Sequence, residues 1–262
     1  MSVLLRQWQL FLLALAFFSR LPVPASLPYS AERLNQSSRY ICLVGWLLGA
    51  LQALLLLALL QLFSPAIAVL LMLLAGLILT GVFHEDGLAD TADALGGGQT
   101  LEQKLSILKD SRIGSYGTAA FVLVMLLKWQ SLQELAGEAV RAVLVVATLS
   151  RLMPVLLMSS LNYQQADAVS KTKPLVTKTS SRNLALNLLV VLLPMLWLPW
   201  SLSLSLVAVL LLGFLLCRRY FQSQLGGYTG DLLGASQQVT EVALYLVWLL
   251  VSTRSSAWPH LL

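Results

Sequence analysis

AIAVLLMLLAGLILTGVF (residues 66–83) runs directly into His84-Glu85-Asp86-Gly87-Leu88-Ala89-Asp90-Thr91-Ala92-Asp93. The first stretch reads as a membrane span, for which about 20 apolar residues suffice. The second places four carboxylates within nine residues, in a chain that has only twelve Asp and Glu among 262 residues. A third of the acid therefore sits where a span ends. If the stretch is helical, Asp86, Asp90 and Asp93 fall at i, i+4 and i+7 on one face. Two carboxylates about 5–6 Å apart repel by roughly 3 kcal/mol at an effective dielectric of 20. No Lys or Arg is interleaved to pair them. Helix-cap chemistry accounts for one or two acids in a first turn but not for three on one face. A hard divalent cation with oxygen ligands, Mg²⁺ above all, meets the need, with Asp86, Asp90 and Asp93 as ligands and Glu85 as a fourth or a support.

Composition extends this reading to the whole chain. Hydrophobic residues make up 58% and charged residues 11%, against about 25% charged in soluble domains, and mean hydropathy is +0.79. The apolar runs are continuous, not alternating, which excludes a β-barrel. The expected fold is all-α, a polytopic transmembrane bundle of about seven to eight helices forming a single domain over residues 1–262. Runs of spanning length occur at 40–63, 66–83, 114–130, 139–160, 183–199, 201–217 and 239–252. The apolar stretch Trp8 to Phe18 lacks a clear cleavage site and reads as a retained helix. Ser64-Pro65 and Pro199-Trp200-Ser201 read as uncharged tight turns.

Charge then orients the bundle. Segments 20–39, 84–113, 161–182 and 218–238 hold twelve of the seventeen basic residues, among them Lys171, Lys173 and Lys178, and the helix count puts all four segments on one side. By the positive-inside rule that side is cytoplasmic, so the acidic stretch faces the cytoplasm. The net charge of +5 follows from this bias and points to a bilayer, not to nucleic acid. Cys42 and Cys217 have neither disulfide nor zinc spacing and read as buried apolar residues.

Other polar features gather on the same side. His84, beside a carboxylate, suits either a base or a structural histidine. Gly96-Gly97-Gly98 suits a helix stop or a close backbone approach to phosphate. In Lys109-Asp110-Ser111-Arg112-Ile113-Gly114-Ser115-Tyr116-Gly117, Lys109 and Arg112 suit membrane anchoring. Lys109, Ser111 and Arg112 also suit a polyphosphate, because the Arg fork matches its oxygens and a helix N-terminus adds donors. Asp231, the one acid in Gly226-Gly227-Tyr228-Thr229-Gly230-Asp231-Leu232-Leu233-Gly234-Ala235, could bring a carboxylate from a second helix. Arg151 lies inside an apolar run, where an ionisable residue signals function unless it snorkels.

These residues resemble the cobalamin synthase family, the adenosylcobinamide-GDP ribazoletransferases. The resemblance rests on Phe18-Ser19-Arg20-Leu21-Pro22-Val23-Pro24, the acidic stretch with its glycines, the Lys109 to Gly117 string and Gly227 to Gly234, and it covers essentially the whole chain. It implies a Mg²⁺-dependent enzyme of the bacterial inner membrane. That enzyme moves the phosphocobinamide part of adenosylcobinamide-GDP to α-ribazole or its 5′-phosphate and releases GMP. The expected roles are metal binding by Glu85, Asp86, Asp90 and Asp93, diphosphate binding by Lys109, Ser111, Arg112 and Arg151, and proton acceptance by His84 or Asp231. The Asp86-Gly87-Leu88-Ala89 core also resembles CDP-alcohol phosphotransferases of phospholipid synthesis. That activity, a cation transporter, and association into a homo-oligomer stay open at this point.

Overall fold

The computed structural model describes residues 2–164 and 179–257. Lys171, Lys173 and Lys178 lie outside the described residues. The rest is helical, with an isolated bridge between Tyr163 and Tyr228 as its β pairing. In chain order the helices are α1 (Val3–Phe18), α2 (Ala31–Ser37), α3 (Ile41–Leu59), α4 (Pro65–Thr80), α5 (Phe83–Gly97) and α6 (Leu101–Ile107). They continue as α7 (Ser115–Glu134), α8 (Ala139–Ser150), α9 (Leu152–Ser160), α10 (Ser181–Met195), α11 (Trp200–Leu225) and α12 (Gly230–Ala257). The chain is an all-α membrane bundle.

Its centre and its edge are distinguished by what covers each span. The segment Ala136–Ser160, which contains α8 and α9, is 83% buried along its apolar window, whereas Trp200–Leu225 is 17% buried. The first is wrapped by protein and the second presents leucines outward, as a lipid-facing helix does. α3 reaches α8 through Gly45 and Gly49, a small-residue spacing that lets membrane helices approach closely. A Cβ at Gly49 would stand 2.8 Å from the Ala147 Cβ.

α4 starts as expected, with Ser64 before Pro65 in the first turn, where the missing N–H of proline costs nothing. It ends at Thr80, because Gly81 (φ 66°) and Val82 (φ 63°) both turn left-handed. The Gly81 and Val82 N–H groups donate to the Ile78 and Leu77 carbonyls, which closes the helix in Schellman fashion. Glycine takes this conformation freely, but a β-branched residue there is strained. α5 leaves at 88° to α4, so it turns away from the direction of the span instead of prolonging it. The acidic stretch is thereby laid across the end of the bundle.

Two of the basic segments are largely helical. Segment 84–113 is mostly the helices α5 and α6, and segment 218–238 is consumed by the end of α11 and the start of α12. Polar helix turns extend beyond the apolar windows, so hydropathy alone places the helix ends too early. The expected spans 201–217 and 239–252 are the apolar parts of longer helices.

Candidate active site

α5 is amphipathic in an unusual sense, with carboxylates on two sides. Asp86 is exposed and Asp90 half-buried, whereas Glu85 and Asp93 are buried. α12 crosses α5 at a pair of glycines. A Cβ on Gly87 would stand 2.9 Å from the Asp231 carbonyl oxygen, and one on Gly234 would stand 3.2 Å from the His84 carbonyl oxygen. Only glycine admits backbones so close. The crossing sets the first turn of α12, with Asp231, against Asp86 and Asp90.

The charges confirm the juxtaposition. Burial, then the neighbouring Asp86, Asp231 and Asp93, push the Asp90 carboxyl up to about 6. Burial and Asp86 likewise push Asp231 up to about 6, against a backbone hydrogen bond that lowers it. Three carboxylates from two helices thus share one face, and no cation is among the groups that perturb Asp90 and Asp231. Among the described residues, no three His, Cys, Asp or Glu side chains converge closely enough to chelate an ion by themselves. Mg²⁺ does not require that, since it keeps waters and binds through one or two carboxylates plus substrate phosphates. An all-oxygen, mutually repelling and partly open donor set fits such an ion.

Asp93, expected as a ligand, has other work. Its Oδ2 accepts the Gly114 N–H at 2.7 Å and its Oδ1 accepts the Gly117 N–H at 2.9 Å. The carboxylate thereby caps the start of α7, and a side chain at either glycine would overlap it. The α7 N-terminus expected to supply phosphate donors has two of them taken in this way. The same bonds tie the 108–114 loop to α5. In that loop Arg112 is held by Asp110, Nε to Oδ1 at 3.0 Å and Nη2 to Oδ2 at 2.6 Å, with its side chain 86% exposed. Those hydrogen bonds hold the Asp110 carboxyl below its ordinary value. Lys109 and Ser111 are exposed beside it. Gly96 and Gly97 close α5 and Gly98 caps it; Gly96 and Gly98 serve packing, because the Tyr116 ring lies over Gly96 and a Cβ on Gly98 would stand 2.7 Å from the Ala94 carbonyl oxygen.

His84 and Glu85 turn away from this face. His84 is 4% exposed, with its ring stacked on Phe18 at 5.9 Å and edge-on to Phe83 at 5.3 Å. Glu85 Oε1 accepts from Gln238 Nε2 at 2.9 Å. Both residues line an inner chamber of about 30 Å³ together with Gln52, Lys128, Arg151 and Glu241. There Lys128 Nζ donates to Gln238 Oε1 at 2.5 Å and pairs with Glu241 at 3.3 Å. Arg151 is 6% exposed and donates to the Ala147 carbonyl. It does not snorkel; it is enclosed in this chamber and is not on the outer acidic face.

Lys128, Gln238 and Glu241 were not singled out from the sequence. The reasoning that marks Arg151, an ionisable residue inside an apolar run, applies equally to Lys128 and Glu241. Tyr163 was also missed. Burial and the nearby Asp231 charge raise its phenol above the ordinary value, and its ring meets Tyr228 at 5.5 Å. Tyr163 therefore stands beside the acidic face, a proximity that no local pattern encodes.

Fold and site together define a class, the polytopic helical membrane enzymes that keep an anionic face at the end of their spans. Comparison with known proteins narrows this. The family model for cobalamin-5-phosphate synthase matches residues 10–249. A protein of Shewanella piezotolerans named adenosylcobinamide-GDP ribazoletransferase is 46% identical over 250 residues, 94% of this chain and 96% of that one. Proteins with the same name from Vibrio cholerae (46%; 95% of this chain and 97% of that one) and Shewanella frigidimarina (47%; 94% and 96%) are similar over comparable lengths. No solved structure matches the chain significantly. The chain belongs to the cobalamin-5-phosphate synthase family.

Proposed function

We propose that the chain transfers the phosphocobinamide part of adenosylcobinamide-GDP to α-ribazole or its 5′-phosphate, releasing GMP, at the cytoplasmic edge of a bacterial inner membrane. The observation that carries this reading is the convergence of Asp86, Asp90 and Asp231 from two helices beside the Arg112 loop. The names of the relatives supply the substrate class, and the residues supply a rationale for the chemistry.

The donor is a diphosphate, so its charge must be met and held in line with the acceptor. Asp86 and Asp90 would hold Mg²⁺, which when bound offsets charge on the diphosphate and on the departing GMP. Arg112 can exchange its exposed pairing with Asp110 for phosphate oxygens, which its planar fork suits. Asp231 faces the pair from α12 and accepts the proton of the attacking ribose hydroxyl. A carboxylate raised to about 6 is closer to the ideal for a base than an ordinary one. The new bond joins the hydroxyl oxygen to the cobinamide-bearing phosphorus, and the bridging oxygen leaves with GMP. Asp93 keeps the loop and α5 in register without touching the reacting atoms.

The test is GMP release by the purified protein in detergent. Product formation with adenosylcobinamide-GDP and α-ribazole 5′-phosphate, lost in EDTA and restored by Mg²⁺, is the expected result. Turnover only with a CDP-alcohol donor and a lipid acceptor would replace this reading with the phospholipid one.

A further inference from the structure

The chamber behind α5 raises a separate question. Buried charges in a membrane bundle are costly and are rarely kept without a role. At about 30 Å³, the cavity has room for about two waters and no nucleotide or corrinoid. Its charges also balance, since Glu85 and Glu241 face Lys128 and Arg151, which leaves no net demand for an ion. What the chamber does have is position. Along α12, Asp231, Gly234 and Gln238 form one seam at i, i+3 and i+7, about 10 Å from end to end. Asp231 at one end belongs to the acidic face. Gly234 in the middle packs on the His84 backbone, next to the tighter approach of Gly87 to the Asp231 backbone. Gln238 at the other end donates to Glu85 at 2.9 Å and is itself held by Lys128.

We propose that Glu85 is a positioning residue: the Glu85–Gln238–Lys128 link clamps α5 to α12 one turn of α12 beyond their closest contact and so holds Asp86 and Asp90 against Asp231. The inference rests on the magnesium reading above. Asp86, Asp90 and Asp231 repel and, without a cation, push apart the two helices where Gly87 and His84 meet Asp231 and Gly234. The clamp lies beyond that contact and resists the separation. It joins residues 153 positions apart and is fully enclosed, with Glu85 7%, Gln238 2% and Lys128 3% exposed. The side chain adjacent to a ligand thus shapes the ion site while pointing away from it.

The experiment titrates Mg²⁺ alone into detergent-purified protein and reads the thermal midpoint against ion concentration, with GMP release at saturating Mg²⁺ as a second readout. Gln238→Leu removes the donor without touching the outer face. It should raise the half-saturating Mg²⁺ concentration about tenfold and leave the saturated rate within about threefold. The exchanged pair Glu85→Gln/Gln238→Glu keeps a hydrogen bond and the charge count, and should return half-saturation to within about threefold of wild type. An unchanged half-saturation in Gln238→Leu, or a collapsed rate with unchanged half-saturation, overturns the proposal. If Gln238→Leu does not fold, the exchanged pair decides, and a tenfold weakening there overturns it. A wild-type chain with no Mg²⁺ response overturns the magnesium reading as well, whereas a responsive wild type with unaffected variants overturns the clamp alone.

Discussion

One helix serves two unlike regions. On its outer side α5 offers Asp86 and Asp90 to Asp231, carboxylate against carboxylate, partly open and uncompensated. On its inner side it buries Glu85 in a chamber whose two acids, Glu85 and Glu241, face two bases, Lys128 and Arg151, with Lys128 and Glu241 paired. Balanced charge is a means of holding helices together. Unbalanced charge stores repulsion that a proton or a cation relieves, and this difference sets the outer face apart from the inner scaffold. Successive helical residues point about 100° apart, so the adjacent acids Glu85 and Asp86 can belong to opposite kinds of region.

The comparison can be broken most directly at Asp90. Asp90→Asn should reduce GMP release at least a thousandfold while the protein still elutes as a folded species in detergent, because it removes a donor for the ion and leaves the scaffold intact. Wild-type-like turnover would remove the outer face from the chemistry. The inner region should answer in the opposite way. Lys128→Met leaves the partly buried Glu241 without its cation, held by Gln237 alone, and should lower the thermal midpoint. Lys128→Met/Glu241→Gln should recover much of that loss. If the single variant is as stable as wild type, the chamber does not hold the bundle together.

Asp93 sharpens the boundary between the two. As a cap on the start of α7 it should tolerate Asp93→Asn with about a tenfold loss of rate, far milder than Asp90→Asn, since one carbonyl oxygen still accepts an N–H. Equal losses in the two variants would return Asp93 to ion binding. Arg112→Lys should cost about three- to tenfold in GMP release, because an ammonium cannot reproduce the fork. An unchanged rate would reduce Arg112 to an anchor.

The smallest effect is in pH. Asp90 and Asp231 are raised from 3.8 to about 6 in the folded chain. A raised carboxyl contributes stability that is complete below its unfolded value and is lost as pH rises through the folded one. In EDTA the thermal midpoint should therefore fall between about pH 4 and about pH 6, and Mg²⁺ should restore it at the upper end. A flat profile in EDTA would contradict the repulsion on which the outer face depends.

Much of this was legible in the residues. Continuous apolar runs announce helices in a bilayer, and the spacing of Asp86 and Asp90 announces a shared face. Asp231 stood out as a lone acid in a glycine-rich stretch, and α12 brings it to the face. The division of labour among the acids was not legible. His84 and Glu85 share the acidic string but turn inward, because the left-handed residues Gly81 and Val82 set how α5 lies on the bundle. Asp93 finds its partners at Gly114 and Gly117, across a loop whose course no spacing reveals. The Glu85–Gln238 bond spans 153 positions. Periodicity gives faces and local chemistry gives caps, but which face meets which helix is decided by packing.

The central question is whether the outer carboxylates bind a divalent cation. Manganese(II), titrated into the purified chain and followed by electron paramagnetic resonance, reads this without any substrate. The expected result is a saturable bound population that Mg²⁺ displaces, that Asp86→Asn/Asp90→Asn abolishes, and that Lys128→Met/Glu241→Gln retains. Manganese binding that survives the loss of both aspartates, or no bound ion at saturation, would contradict it.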